Sequence, residues 1–179
     1  MSIKRLIKKT VFYGFKAIIG ILVYFNHPLY MAIYNRLLVF AGLNMVGKPR
    51  FIAKSVRFDD FTRITVGDRL VASMNVHFLT HDYSYTTALI AIGETPDEDI
   101  GVLRNISIGD NVFIGMNTII LPGTTIGSNV IVGAGCVVRG NIPDYAIVAG
   151  NPANVIGDVR EYANKVVNRK GQSLTTDKS

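Results

Sequence analysis

From Ile108 onward the chain sets an aliphatic residue at every sixth position: Ile108, Ile114, Ile120, Ile126, Val132 and Val138. The residue that follows is Gly109, Gly115, Leu121, Gly127, Gly133 or Arg139. Four places after each aliphatic stands Val112, Thr118, Thr124, Val130, Cys136 or Ile142. The same phase occurs earlier at Val66, Ala72 and Phe78, with Leu70 and Val76 in the second slot. A weaker run, Ile52 and Phe58 with Val56 and Thr62, precedes these across a slip of two residues. A step of six does not fit an α-helix, and the segment is rich in Gly and β-branched residues. The strands of a sandwich would alternate with period two and show no six-residue return. A short flat strand followed by a tight corner does use six residues. The aliphatic then points into a narrow prism, Gly or Asn takes the corner, and β-branched residues suit the flat faces. One such unit cannot bury its own apolar face, so several coils must stack. The pattern predicts a mainly β prism over residues 46–157.

The first 45 residues read differently. "VFYGFKAIIGILVYF" ends at Phe25, "NHP" breaks the run, and "LYMAIYNRLLVFAGL" continues to Leu43. Each run falls short of the roughly 20 apolar residues that span a bilayer. Lys16 and Arg36 interrupt them. A signal peptide also opens with basic residues and an apolar run, but no small-x-small site closes this one, and apolar character resumes after Pro28. The pattern predicts a helical hairpin with Asn26-His27-Pro28 as its turn. Such a hairpin either caps a core or lies in a membrane interface. Residues 158–179 are expected to form a short helix and a polar tail.

Composition adds limits. The chain is 49% hydrophobic, enough to bury a core, which excludes wholesale disorder. Its net charge of +6 is concentrated in "KRLIKK" and "NRKGQ" near the two ends. Basic ends suit an acidic surface, such as an anionic membrane face, or serve solubility. Nucleic-acid binding would need a basic stripe with aromatics, which the repeat lacks. The single cysteine, Cys136, rules out an internal disulfide and a Cys-based zinc site, and fits a reducing compartment. Cys136 occupies an inward slot and reads as core.

The repeat stops after Phe78 and resumes at Ile108, and an extruded loop is expected at about 83–104. Loops of this length are uncommon unless functional. His81, in "FLTHDYSY", stands at its root. Imidazole titrates near neutrality and can take a proton from an alcohol as it attacks. His27 lies in the hairpin turn and His77 on a coil, where surface decoration is the default. Asp82 does not pair with His81 in this reading, because neighbours on an extended chain point opposite ways. It is expected to hold the loop root through backbone N–H groups. A backbone carbonyl or a carboxylate from elsewhere is left to orient His81. Tyr83 and Tyr85 either line an acceptor pocket or pack the loop.

The stretch "ISIGDNVFIGMNTIILPGTTIGSNVIVGAGCVVRGNIPDYAIVAGNPANVI" resembles the hexapeptide-repeat acyltransferases. Its ending, "IPDYAIVAGNPANVI", resembles the sugar O-acetyltransferase branch. That branch includes the maltose and galactoside acetyltransferases and enzymes that decorate capsule or O-antigen polysaccharides. The resemblance covers about Phe51 to Ile156. It implies a left-handed parallel β-helix, a homotrimer with active sites between subunits, and acetyl-CoA as co-substrate without a metal. It implies His81 as general base and Asp60 as an acceptor contact. Asn75 matches a corner asparagine of the family and is carried as a further acceptor-side residue, although corner geometry alone accounts for it. Ala134, Gly135, Ala149 and Asn151 match positions along the CoA arm. Two departures matter: Arg139-Gly140 replaces the family's Thr-Lys, and Asn154 replaces a cation. Arg139 and Arg160 are the guanidinium groups available to take over phosphate contact. The expected location is the cytoplasm, at the inner membrane face if the hairpin touches lipid. The alternatives are N-acetylation of an amino sugar, a non-enzymatic scaffold, and a carbonic anhydrase-like protein. The last needs three zinc-binding histidines, and the repeat offers only His77 and His81.

Overall fold

The computed structural model describes residues 3–168. The polar tail beyond Asn168 lies outside them. The chain begins with α1 (Ile3–Ile19) and α2 (His27–Ala41). The first coil follows as β1 (Asn44–Met45), β2 (Phe51–Ile52) and β3 (Arg57–Phe58). The second coil is β4 (Ile64–Val66), β5 (Val71–Ala72) and β6 (His77–Phe78). An excursion then carries β7 (His81–Asp82), α3 (Ser84–Ala91) and β8 (Val102–Leu103). The third coil is β9 (Ile106–Ile108), β10 (Phe113–Ile114) and β11 (Ile119–Ile120). The fourth is β12 (Thr125–Ile126), β13 (Ile131–Val132) and β14 (Val137–Val138). The chain closes with β15 (Asn141–Ile142), β16 (Ala146–Ala149), β17 (Asn154–Asp158) and α4 (Val159–Asn168).

Three faces result. The first stacks β1, β4, β9, β12 and β15; the second β2, β5, β10, β13 and β16; the third β3, β6, β11 and β14. Every pairing within a face is parallel, and β17 adds an antiparallel edge to β16. The register sets Phe78 beside Ile120 and Ile120 beside Val138, so the six-residue aliphatics form continuous inward columns. All of them are buried, and so is the second slot at Val112, Thr118, Thr124, Val130 and Cys136. The two threonines keep their hydroxyls satisfied: Thr118 donates to the Gly133 carbonyl (3.0 Å) and Thr124 to that of Leu121 (2.7 Å).

The corners divide their work between two residue types. Glycine follows the aliphatic because the next coil lies too close for a side chain. A Cβ on Gly115 would stand 2.5 Å from the Ala134 nitrogen. The left-handed backbone falls two residues later, on Asn75, Asn111, Asn117 and Asn129, with φ between 54° and 59°. The sequence pattern did not separate these roles. The asparagines also stack, Asn75 Nδ2 donating to Asn117 Oδ1 at 3.2 Å.

Both breaks in the repeat fall at one corner, between the third face and the first. The two-residue slip is a 3-10 turn at Phe61–Arg63, capped by Asp60. The long excursion leaves the same corner one coil later. Regular coils cross it with Leu121-Pro122-Gly123 or with Arg139-Gly140 alone.

The helical hairpin covers the open end of the prism. Asn26 Oδ1 accepts from the Leu29 N–H (3.0 Å), and Pro28 sits in the first turn of α2, where its missing donor costs nothing. Phe12, Tyr30, Tyr34 and Leu38 are fully buried, and Tyr30 donates to the Ile52 carbonyl of the first coil (3.2 Å). Burial pushes both tyrosine hydroxyls up. The hairpin tip is the opposite: Ile18, Ile21, Tyr24 and Phe25 are 62–82% exposed. No described helix is long and apolar enough to cross a membrane.

Candidate active site

His81 lies in β7, which pairs antiparallel with β8, His81 opposite Leu103 and Asp82 opposite Val102. Its backbone is therefore fixed by a two-residue ladder rather than by a free loop. Arg104 N–H donates to the Thr80 carbonyl (2.8 Å) and closes the root. Beneath the corner, the rings of Phe58 and Phe78 stack 5.1 Å apart and form its floor.

Asp59 is the partner that the sequence reading left unnamed. Its Oδ2 contacts His81 Nδ1 and accepts from the Thr80 N–H (3.1 Å) and the Thr80 hydroxyl (2.7 Å). Partial burial pushes the Asp59 carboxyl up, but the Thr80 hydroxyl, the Thr80 N–H and His81 outweigh it, leaving the group below its ordinary range. An ionised carboxylate can only accept, so Nδ1 carries the hydrogen of the neutral ring and Nε2 is left as the basic nitrogen. The signal for Asp59 was available in register. Phe58 pairs with Phe78, which places Asp59 one coil below the segment Leu79–His81.

Asp82 turns away, as expected, and accepts from the Ser84 N–H (2.8 Å) at the start of α3. The Tyr83 ring meets the His81 ring edge-on at 5.3 Å. It also lies against Gly101, where a Cβ would stand 2.6 Å from the tyrosine ring. Tyr85 accepts from Arg104 Nη2 (3.0 Å). The excursion is thus an anchored arm with a helix, not an unstructured loop. α3 buries none of its residues, and Ile90 and Ile92 are exposed.

Two cavities flank the Asp59–His81 pair. The smaller, about 510 Å³, is lined by His81, Asp82 and Tyr85, by Arg104 of the arm, and by Pro122, Gly123 and Arg139 of later coils. The larger, about 940 Å³, lies under the hairpin and holds Lys16, Lys54, Arg57, Asp59, Asn75 and His77. Leu79 lines both. The expected site residues therefore fall into groups. His81, Tyr85 and Arg139 converge on the smaller cavity, and Asn75 on the larger. Asp60 is buried, with its Oδ1 on the Thr62 N–H (3.0 Å) and hydroxyl (2.7 Å). Ala134, Gly135 and Asn151 occupy the corner between the second and third faces, next to Ala149 at the end of β16. Arg160 is at a third corner, bound to Asp158 (2.6 Å) and 4.4 Å above the Tyr145 ring. These cofactor-side residues do not meet within one chain.

Residues 105–140 match the family model "Bacterial transferase hexapeptide (six repeats)". Protein CapG of Staphylococcus aureus is 42% identical over 104 residues, covering 58% of each chain. WbbJ of Escherichia coli, provisionally a lipopolysaccharide biosynthesis O-acetyl transferase, is 34% identical over 116 residues, covering 59% of each. A solved galactoside acetyltransferase in complex with coenzyme A superposes with TM-score 0.65 at 25% identity, covering 90% of this chain and 83% of that one. Residues 105–140 thus carry the hexapeptide repeat of bacterial transferases, and the chain resembles hexapeptide-repeat acetyltransferases. The three-faced prism is accordingly the left-handed β-helix of hexapeptide-repeat acetyltransferases. The chain spans less than two thirds of CapG and of WbbJ.

Proposed function

We propose that the chain is an acetyl-CoA-dependent O-acetyltransferase acting on a sugar hydroxyl in surface polysaccharide synthesis. The observation that carries this reading is the Asp59–His81 pair, held at the one corner where the repeat is interrupted. The likeness to a galactoside acetyltransferase solved with coenzyme A and to WbbJ supports the donor and the acceptor class. Acetyl-CoA supplies an activated thioester. His81 Nε2 accepts the proton of the acceptor hydroxyl as its oxygen bonds to the acyl carbon. The C–S bond breaks, and the imidazolium returns the proton to the departing sulfur. Asp59 fixes the ring's tautomer and faces the positive charge while it exists. No acyl-enzyme is needed, and positioning of the two substrates supplies much of the rate.

A homotrimer completes this reading. Arg139 lies beside His81, whereas Ala134, Gly135, Ala149 and Asn151 lie at a different corner. A donor touching both sets runs between two copies. The unburied apolar residues of α3 give the arm something to lay on a neighbour. We place the enzyme in the cytoplasm at the inner membrane face, held by the exposed hairpin tip and the basic residues near the start of α1. The test is acetyl transfer to a panel of oligosaccharides and nucleotide sugars, with His81→Ala alongside. Turnover should fall at least about 10²-fold in the variant while CoA still binds. Unchanged turnover removes His81 from the mechanism.

A further inference from the structure

The larger cavity gathers positive charge that carboxylates leave uncompensated, while Lys16 lies over the Phe12, Tyr13 and Tyr34 rings. Lys16 enters from α1, Lys54 and Arg57 from the first coil, and Asn75 and His77 from the second. Among the described residues, none of the three cations is in an ion pair with a carboxylate. The one acid in the lining, Asp59, is committed to Thr80 and His81. Lys16 donates to the Val56 carbonyl (3.1 Å), which fixes its position without neutralising it. Burial, and secondarily the nearby Arg57 guanidinium, pulls its ammonium down to about 8. Like charges gathered in a half-enclosed space repel unless an anion joins them. The fold keeps them together beside the catalytic pair.

We propose that this cavity is an anion subsite that holds a phosphate-bearing acceptor, so that the hydroxyl to be acetylated belongs to a glycosyl phosphate or diphosphate. The proposal rests on the acetyl-transfer reading and names its acceptor class. Arg57 offers a planar fork of donors suited to two phosphate oxygens, and the lysines act as point charges. At about 940 Å³ the space exceeds a phosphate group and leaves room for an attached sugar. Leu79 lines this cavity and the one containing His81, so a sugar anchored here has a short path to the base. Lys54 ties the cavity wall to the hairpin tip, its Nζ lying 5.1 Å from the centroid of the exposed Tyr24 ring. The same chemistry serves a soluble sugar phosphate or a lipid-borne one.

The test uses the full chain and inorganic pyrophosphate, read by titration calorimetry. Saturable binding at one site per chain is expected. It should weaken about 10-fold in Lys54→Gln or Arg57→Gln, both exposed substitutions that leave the core intact, and stay unchanged in Lys48→Gln, an exposed lysine outside the cavity. No saturable binding, or equal affinity in the Lys54 and Arg57 variants, overturns the proposal. Farnesyl diphosphate in phosphatidylcholine vesicles forms the second arm. Affinity at least 10-fold above aqueous pyrophosphate assigns the phosphate to a lipid carrier, and equal affinity assigns it to a soluble acceptor. Neither arm requires turnover. Pyrophosphate binding without acetyl transfer to any hydroxyl leaves the subsite standing and removes the transferase reading; the reverse result does the opposite.

Discussion

Asp59 and His81 are 22 residues apart in sequence and touch in space because one coil separates them. Asp59→Asn keeps the shape of the side chain but turns an acceptor into a possible donor. The ring then presents Nε2–H to the acceptor and loses its base. Turnover should drop about 10²-fold or more with circular dichroism unchanged. The carboxyl also carries a pH signature. Its folded value lies below the ordinary one, so it adds stability above the ordinary aspartate range and loses it as pH falls through the lowered value. Acid unfolding of wild type and variant, compared below pH 4 and at pH 7, should show the gap closing as pH falls. At this scale the sequence offered His81 as a candidate base but did not name its partner. His81 stood at a break in a pattern, whereas Asp59 shared a slip with Asp60 and no local feature distinguished them. Only the pairing of Phe58 with Phe78 does so. Lys16, Lys54 and Arg57 were invisible as a group for the same reason, since they come from a helix and from a corner and a strand of the first coil.

Elements were far more legible, because a period of six has one physical solution. The inward columns, the helical hairpin and the C-terminal helix all follow from local pattern and apolar spacing. The excursion was read as a loop, yet it contains α3 and a two-strand ladder. Ser84–Ala91 does not segregate its apolar residues to one side and buries none of them, so periodicity had nothing to detect. The division of labour at corners gives a sharp contrast. Gly115→Val puts a side chain where Ala134 backbone stands 2.5 Å from the Cβ, with no flexible neighbour to yield. It should destabilise by roughly 2–4 kcal/mol. Asn117→Gly relieves a left-handed backbone and loses only the Asn75 bond, so its effect should stay within about 1 kcal/mol. Urea denaturation of the two variants measures this contrast, and equal losses would refute the assignment of corner roles.

For the whole molecule, apolar surface is distributed unevenly. The prism exposes apolar side chains at scattered positions such as Met74, Phe113 and Ile156, whereas the hairpin tip gathers Ile18, Ile21, Tyr24 and Phe25 at one end. Flotation with vesicles containing anionic lipid should recover the protein in the lipid fraction. Ile21→Ser/Phe25→Ser should leave it at the bottom of the gradient while the melting temperature holds, because neither side chain packs into the core. Recovery of the variant with lipid would move the contact elsewhere on the surface. The sequence left this hairpin between a cap and a membrane element, and the structure shows why: one side buries Phe12 and Tyr34, the other buries nothing. The excursion has a wider consequence. Its two ends meet where Arg104 N–H bonds the Thr80 carbonyl (2.8 Å), and the coils above and below stay in register across it. The prism is therefore indifferent to what is spliced in at that corner. The arm can be exchanged there as a cartridge, by deletion or graft, while the scaffold keeps its shape.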